Sequence, residues 1–219
     1  MSLNTFLFNQ IIGIKVSYEN EELVSKAENF LLVSNHLSYL DIFSYSQKVN
    51  LGYITSVEMK HTFGLGLVLQ LAGCVFVERR RDKRLLTTRE GELKDIEKSL
   101  DSKLNISLFP EATSTNGAEI LSFKKPMYIP AYKLGKTVLV ACIRYNKANG
   151  QKIDASNRDM VCWYGDMDFA PHFLSLLKQK RVEATVTFIK ALDPKDFTDI
   201  DSMIEVSRNL IVNEFTPYA

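Results

Sequence analysis

Apolar runs of strand length that alternate with amphipathic stretches predict an α/β protein: a single domain over residues 1–219 with a mixed, largely parallel sheet covered by helices on both faces. Three observations carry that expectation. The runs Phe30-Leu31-Leu32-Val33, Cys74-Val75-Phe76-Val77 and Ile106-Ser107-Leu108-Phe109 show little polar alternation, as strands buried on both sides do. Between them, Leu86, Leu93, Ile96 and Leu100 space an amphipathic helix whose other face carries Arg89, Glu90, Lys94 and Lys98. No repeat, low-complexity tract or linker divides the chain.

In chain order, Ile14 to Tyr18 and Asn29 to Val33 read as strands, Tyr39 to Gln47 as a helix and Tyr53 to Thr55 as a strand. A helix begins near Glu58 and leads to the strand Cys74 to Val77. The amphipathic helix ending at Leu100 then returns the chain to Ile106 to Phe109. Lys124 to Leu134 reads as a helix before the strand Val138 to Arg144. Met160 to Tyr164 and Val182 to Ile189 are further strands, and Ile200 to Phe215 is the last helix.

Composition narrows the partners. Of 219 residues, 46% are hydrophobic and 24% charged, which suits a folded domain with a continuous core. Lys and Arg number 27 against 26 Asp and Glu, so a net charge of +1 offers no case for nucleic acid. Cys74, Cys142 and Cys162 are odd in number, lie in apolar surroundings and lack metal-ligand spacing, which reads as buried thiols in a reducing compartment. The first residues show neither a signal nor a transit pattern. The longest uncharged stretch, Thr62 to Val77, is short and interrupted by Gly64, Gly66, Gln70 and Gly73, so any membrane contact is expected to be peripheral.

Two polar runs sit where strands end. In Asn35-His36-Leu37-Ser38-Tyr39-Leu40-Asp41, Ser38-x-x-Asp41 matches a capping box with Ser38 as N-cap. The same segment also offers a histidine–carboxylate pair. In a continuous helix, five residues at about 100° each would hold the two side chains roughly 140° apart, so contact requires a break between loop and helix. A carboxylate on one ring nitrogen fixes the tautomer and leaves the other nitrogen as a base. Both readings stand on the residues alone.

The second run, Phe109-Pro110-Glu111-Ala112-Thr113-Ser114, continues into Thr115, Asn116 and Gly117, a loop rich in small donors. Glu111 either holds a polyol hydroxyl or pairs with a surface lysine. Between the runs, Glu78-Arg79-Arg80-Arg81-Asp82-Lys83-Arg84 places cations at a helix start, where they oppose the dipole unless an anion is bound. A solvated charged turn is the alternative. His61 and His172 form no recognisable pair, so no metal is expected. Gly64-x-Gly66 with Gly73 is not a dinucleotide fingerprint.

Together and in this order, the runs resemble the glycerolipid acyltransferase family, which includes the 1-acyl-glycerol-3-phosphate acyltransferases. Asn35-His36 with Asp41 is similar to its N-H-x4-D block, Gly73 to Arg79 to its second block, and Phe109-Pro110-Glu111-Ala112-Thr113 to its F-P-E-G-T block. The resemblance spans about residues 30 to 145. Departures are Ala112 for the family's glycine, Phe123-Lys124-Lys125-Pro126 for F-K-x-G, Thr137 to Ala141 without the usual prolines, and Ser56 for a frequent lysine.

The resemblance implies acyl transfer from acyl-CoA or acyl carrier protein to the hydroxyl of a lysophospholipid, most simply 1-acyl-sn-glycerol-3-phosphate, without a cofactor. His36 would act as base with Asp41 orienting it. Asn35, Arg79, Glu111, Thr113 and Ser114 would serve the acceptor, and Lys60 or Lys124 would replace the missing lysine. There is no G-x-S-x-G elbow to supply an acyl-enzyme nucleophile. Such an enzyme is expected on the cytoplasmic face of a membrane. The apolar residues Leu3, Phe6, Leu7, Phe8, Ile11 and Ile12 and the segment Phe169 to Arg181 are its candidate interfacial surfaces. An acceptor such as a lyso-ornithine lipid, or a non-catalytic lipid or acyl-carrier binding protein on this fold, are the rival readings.

Overall fold

The computed structural model describes residues 13–56, 66, 74–77, 94, 96–102 and 104–218. Eight strands form one sheet: β1 (Ile14–Glu19), β2 (Leu31–Ser34), β3 (Gly52–Ser56), β4 (Cys74–Val77), β5 (Ile106–Leu108), β6 (Val138–Ala148), β7 (Gln151–Lys152) and β8 (Val182–Leu192). The order is β1-β8-β6-β2-β5-β3-β4, with β7 pairing β6. All pairings are parallel except β6 with β8 and β6 with β7, which are antiparallel.

β2 is the centre of this arrangement. Leu31, Leu32, Val33 and Ser34 are all fully buried, so neighbours cover both faces of the strand, as its unbroken apolar run predicts. It runs parallel to β5 and β6, with Val33 level with Leu108 on one side and Val140 on the other. The carboxyl ends of β2, β5 and β6 therefore share one edge, the edge from which loops carry ligand sites in open α/β sheets. β3 and β4 run the same way, so β4 also ends there at Val77. Arg79 and the basic residues to Arg84 lie outside the described residues, as do the expected helix start at Glu58, Lys60, Leu86 and Leu93. Residues 96–101 are helical, and Ile96 and Leu100 are buried as the amphipathic spacing requires.

The described helices are α1 (Glu22–Lys26), α2 (Leu40–Ser46), α3 (Ile129–Lys133), α4 (Phe169–Leu177) and α5 (Ile200–Glu214). α5 begins with Asp199 accepting from the Ser202 N–H at 2.8 Å, an ordinary side-chain cap. The expected helix from Lys124 to Leu134 is instead a 3-10 turn, Lys125–Met127, followed by α3. Pro126 and Pro130 each stand in the first positions of these pieces, where a proline's missing N–H is tolerated, and together they prevent one continuous helix.

The expected strand from Met160 to Tyr164 does not form. A 3-10 turn covers Arg158–Met160, set by Asp154, whose side chain accepts from the Ser156 N–H, and by Asn157, which accepts from the Asp154 N–H. Val161 and Cys162 then enter the core as packing residues. The β6–β7 hairpin is an addition to the expected elements. Its two linking residues, Asn149 and Gly150, have φ of +51° and +82°, the double positive φ of a type I′ turn.

Candidate active site

His36 lies two residues beyond β2, and Tyr39 is the N-cap of α2, so the chain turns between the histidine and the helix that holds Asp41. The turn closes the pair: His36 Nδ1 lies 2.7 Å from Asp41 Oδ2. The same oxygen accepts the backbone N–H of Leu37 at 2.8 Å and of Ser38 at 3.1 Å, and the Tyr145 hydroxyl donates to Oδ1 at 2.5 Å. Asp41 is fully buried. Four donors supply the solvation that burial removes, and among the described residues His36, when protonated, is the cationic partner recorded beside it.

The capping box forms by half. Asp41 reaches back to the Ser38 N–H, but Ser38 is not the N-cap, and its buried hydroxyl has no hydrogen-bond partner. The carboxylate that a simple box would devote to one N–H is shared here with His36.

The imidazole stacks on Phe109, with ring centroids 4.0 Å apart and planes 9° from parallel. Asp41 occupies Nδ1, which fixes that nitrogen as the donor and leaves the Nε2 lone pair in a side chain 19% exposed. Glu111 reaches the same loop from the end of β5. Its Oε1 accepts the His36 N–H at 2.9 Å and its Oε2 the Leu121 N–H at 2.8 Å, while the Thr115 N–H donates to the His36 carbonyl at 2.9 Å. Backbone bonds on both sides hold His36 against the second loop.

Asn35 is buried and tied to β6: its amide donates to the Ile143 carbonyl and accepts the Ile143 N–H, both at 2.9 Å, and its Oδ1 also accepts the Ser34 hydroxyl at 3.2 Å. These bonds make it a clamp between β2 and β6. Glu111 is only 2% exposed, so its contacts are with the loop backbone. Thr113 is exposed, Ser114 half-buried, and Lys124 exposed, with its backbone N–H on the Pro110 carbonyl at 2.8 Å. Ala112 takes φ of +62°, the left-handed region that a glycine adopts without strain. His172 is far in sequence but bonds the Tyr39 hydroxyl through Nδ1 at 2.9 Å. Among the described residues, no group of histidines, cysteines and carboxylates is placed to hold a metal. Cys142 and Cys162 are free and buried, and burial pushes both thiols up, so neither offers a thiolate.

Sequence reasoning did not single out Tyr145, Tyr218 or Phe109's stacking role. The available signal for Tyr145 was its place at the end of an apolar strand, since a tyrosine buried there must find a partner for its hydroxyl.

Burial pushes the Glu111 carboxyl up from its ordinary 4.5, against the opposing pull of the Leu121 and His36 N–H groups. A raised native value means that the folded state binds the proton more tightly, so this contribution is full below about 4.5 and fades as pH rises through the raised value. The unfolding free energy of wild type should therefore fall relative to that of Glu111→Gln as pH rises from about 4.5 through the raised value. Urea unfolding at a series of pH values checks the slope; parallel curves would contradict it.

Residues 15–144 match the protein family described as Acyltransferase. The chain is 27% identical over 190 residues to the lyso-ornithine lipid O-acyltransferase of Rhizobium meliloti, covering 84% of this chain and 63% of that protein. It is 29% identical over 171 residues to the 1-acyl-sn-glycerol-3-phosphate acyltransferase of Neisseria gonorrhoeae, covering 77% of this chain and 62% of that one. The chain thus spans less than two thirds of each relative's length. Its fold resembles the crystal structure of the Thermotoga maritima 1-acyl-sn-glycerophosphate acyltransferase PlsC, with a TM-score of 0.66 at 18% identity over 97% of this chain and 75% of that one. With the family match extending over more than half of its length, the chain belongs to the acyltransferase family.

Proposed function

We propose that the protein transfers a fatty acyl group from acyl-CoA or acyl carrier protein to the free hydroxyl of a lysophospholipid, with 1-acyl-sn-glycerol-3-phosphate as acceptor and phosphatidic acid as product. The observation that carries this reading is the imidazole held by a buried carboxylate at Nδ1, with Nε2 left as the base. In the reaction, Nε2 takes the acceptor hydroxyl's proton as its oxygen bonds to the thioester carbonyl carbon. The tetrahedral adduct collapses with cleavage of the C–S bond, and the imidazolium returns its proton to the departing sulfur. Asp41 stabilises that imidazolium throughout. No covalent enzyme intermediate is required, and the buried thiols of Cys142 and Cys162 offer none. Arg79, Thr113, Ser114 and Lys124 are assigned to the acceptor's polar head by family resemblance, while Glu111 acts through the loop it braces.

A lyso-ornithine lipid acceptor is the second reading, favoured by the 84% of this chain that aligns with the Rhizobium protein of that name. Release of coenzyme A from a long-chain acyl-CoA separates the two. Lysophosphatidic acid should stimulate release more than lyso-ornithine lipid does, and His36→Ala should lower the rate by about 10²- to 10⁴-fold, the usual worth of a general base. The reverse acceptor preference would favour the second reading. Near-normal turnover by the folded variant would remove His36 from the mechanism.

The acceptor's chains require access to a bilayer, and we place that contact at α4. Among the described residues, no helix is long and apolar enough to cross a membrane. Leu174 is 60% and Leu177 38% exposed, and exposed Lys178, Lys180 and Arg181 follow at the helix end. Gly13 accepts the Val182 N–H at 3.1 Å, while Leu3, Phe6, Leu7, Phe8, Ile11 and Ile12 lie outside the described residues. The double substitution Leu174→Glu and Leu177→Glu should reduce co-flotation with anionic vesicles. Undiminished flotation would place the membrane contact elsewhere.

A further inference from the structure

Tyr145 belongs to none of the motif blocks, yet its hydroxyl makes the shortest contact that the dyad's carboxylate receives. We propose that Tyr145 is a positioning residue for the His36–Asp41 pair: donating from β6 to Asp41 Oδ1, it sets the direction of the carboxylate and the charge that the carboxylate presents to the imidazole. Its kinetic consequence rests on the acyltransferase reading above; its effect on His36 does not.

Asp41 Oδ2 has three donors, whereas among the described residues Oδ1 has one, Tyr145. Without that hydroxyl, a buried acceptor oxygen loses its partner and the carboxylate is held through Oδ2 alone. Tyr145 is itself rigidly seated. Its own N–H donates to the Tyr218 hydroxyl at 2.8 Å, and that hydroxyl donates to the Tyr145 carbonyl at 2.9 Å. The Tyr218 N–H bonds the Gly117 carbonyl at 2.9 Å, and its ring lies so close to Gly117 that a Cβ there would stand 2.4 Å from it. The donor is thereby tied to the loop that follows Glu111.

Among the described residues, few sources of charge surround the pair. His36 faces Asp41 from α2, Glu111 from the loop after β5, and the ring of Phe109. Asp41 faces Tyr145 from β6 and lies within electrostatic reach of Tyr45 on α2, Cys162 ahead of α4, Tyr218 near the C-terminus, and Glu111. Burial holds Tyr45, Tyr145, Tyr218 and Cys162 protonated, so among the described residues Asp41 and Glu111 are the carboxyl groups that bear on His36. A hydrogen bond donated to Oδ1 withdraws charge from Asp41 and loosens its hold on the imidazolium. Removing the donor strengthens that hold and raises the pH at which His36 becomes a base. A more acidic donor does the opposite.

The test is the titration of the His36 ring nitrogens, followed by NMR in wild type, in Tyr145→Phe, and with 3-fluorotyrosine incorporated at position 145. The expected result is a midpoint moved up by phenylalanine and down by the fluorinated ring, with neither shift present in an Asp41→Asn background. In turnover, Tyr145→Phe should lower kcat by about 10- to 100-fold with KM changed less than about twofold, the size expected for one charge-assisted hydrogen bond. Midpoints that stay at the wild-type value, or shifts that survive in Asp41→Asn, overturn the proposal. The fluorinated ring keeps both the aromatic packing and the hydroxyl, so its titration decides the matter even if Tyr145→Phe does not fold. A wild type inactive with every acceptor, but with responding midpoints, would refute the function and leave Tyr145's role standing.

Discussion

A fully buried carboxylate organises the centre of this structure. Asp41 is accommodated there because donors from two parts of the chain converge on it: the loop between β2 and α2, through His36, Leu37 and Ser38, and β6, through Tyr145. A buried acceptor deprived of its donors costs more than the hydrogen bonds themselves contribute, so each of these partners is constrained by the others. The loop between β2 and α2 takes its shape from that convergence, and the direction of the His36 ring follows from the loop.

The sheet supplies the convergence. Because β2 lies between β5 and β6 and runs parallel to both, residues separated by about a hundred positions leave the sheet on the same edge. Glu111 arrives from β5 to accept the His36 N–H, and Asn35 locks β2 to Ile143 of β6. Tyr145 arrives two residues farther along that strand. Tyr218 then joins β6 to the Glu111 loop by bonding both Tyr145 and Gly117. The geometry of the His36–Asp41 pair depends on this packing as much as on the pair itself.

Much of this was readable from the residues. The unalternating apolar runs at Phe30 and Ile106 marked strands buried on both faces, and the break needed between His36 and Asp41 pointed to a loop at the helix start. Local chemistry also explains two errors. Pro126 and Pro130 were visible interruptions of the expected helix, and the Asp154–Asn157 turn outweighed the apolar character of Met160 to Tyr164. Tyr145 was different. Periodicity shows that a strand residue is buried, but which carboxylate its hydroxyl meets depends on strand order, a property of the whole sheet rather than of any segment.

Whether Asp41 gives His36 the strength of a base is decided by the dependence of kcat/KM on pH in wild type and Asp41→Asn. An acid limb set by His36 is expected in wild type and, in the variant, a plateau lowered by about 10²-fold or more with the limb displaced to lower pH, because the imidazolium has lost its carboxylate partner. Profiles that superimpose in both plateau and limb would contradict it.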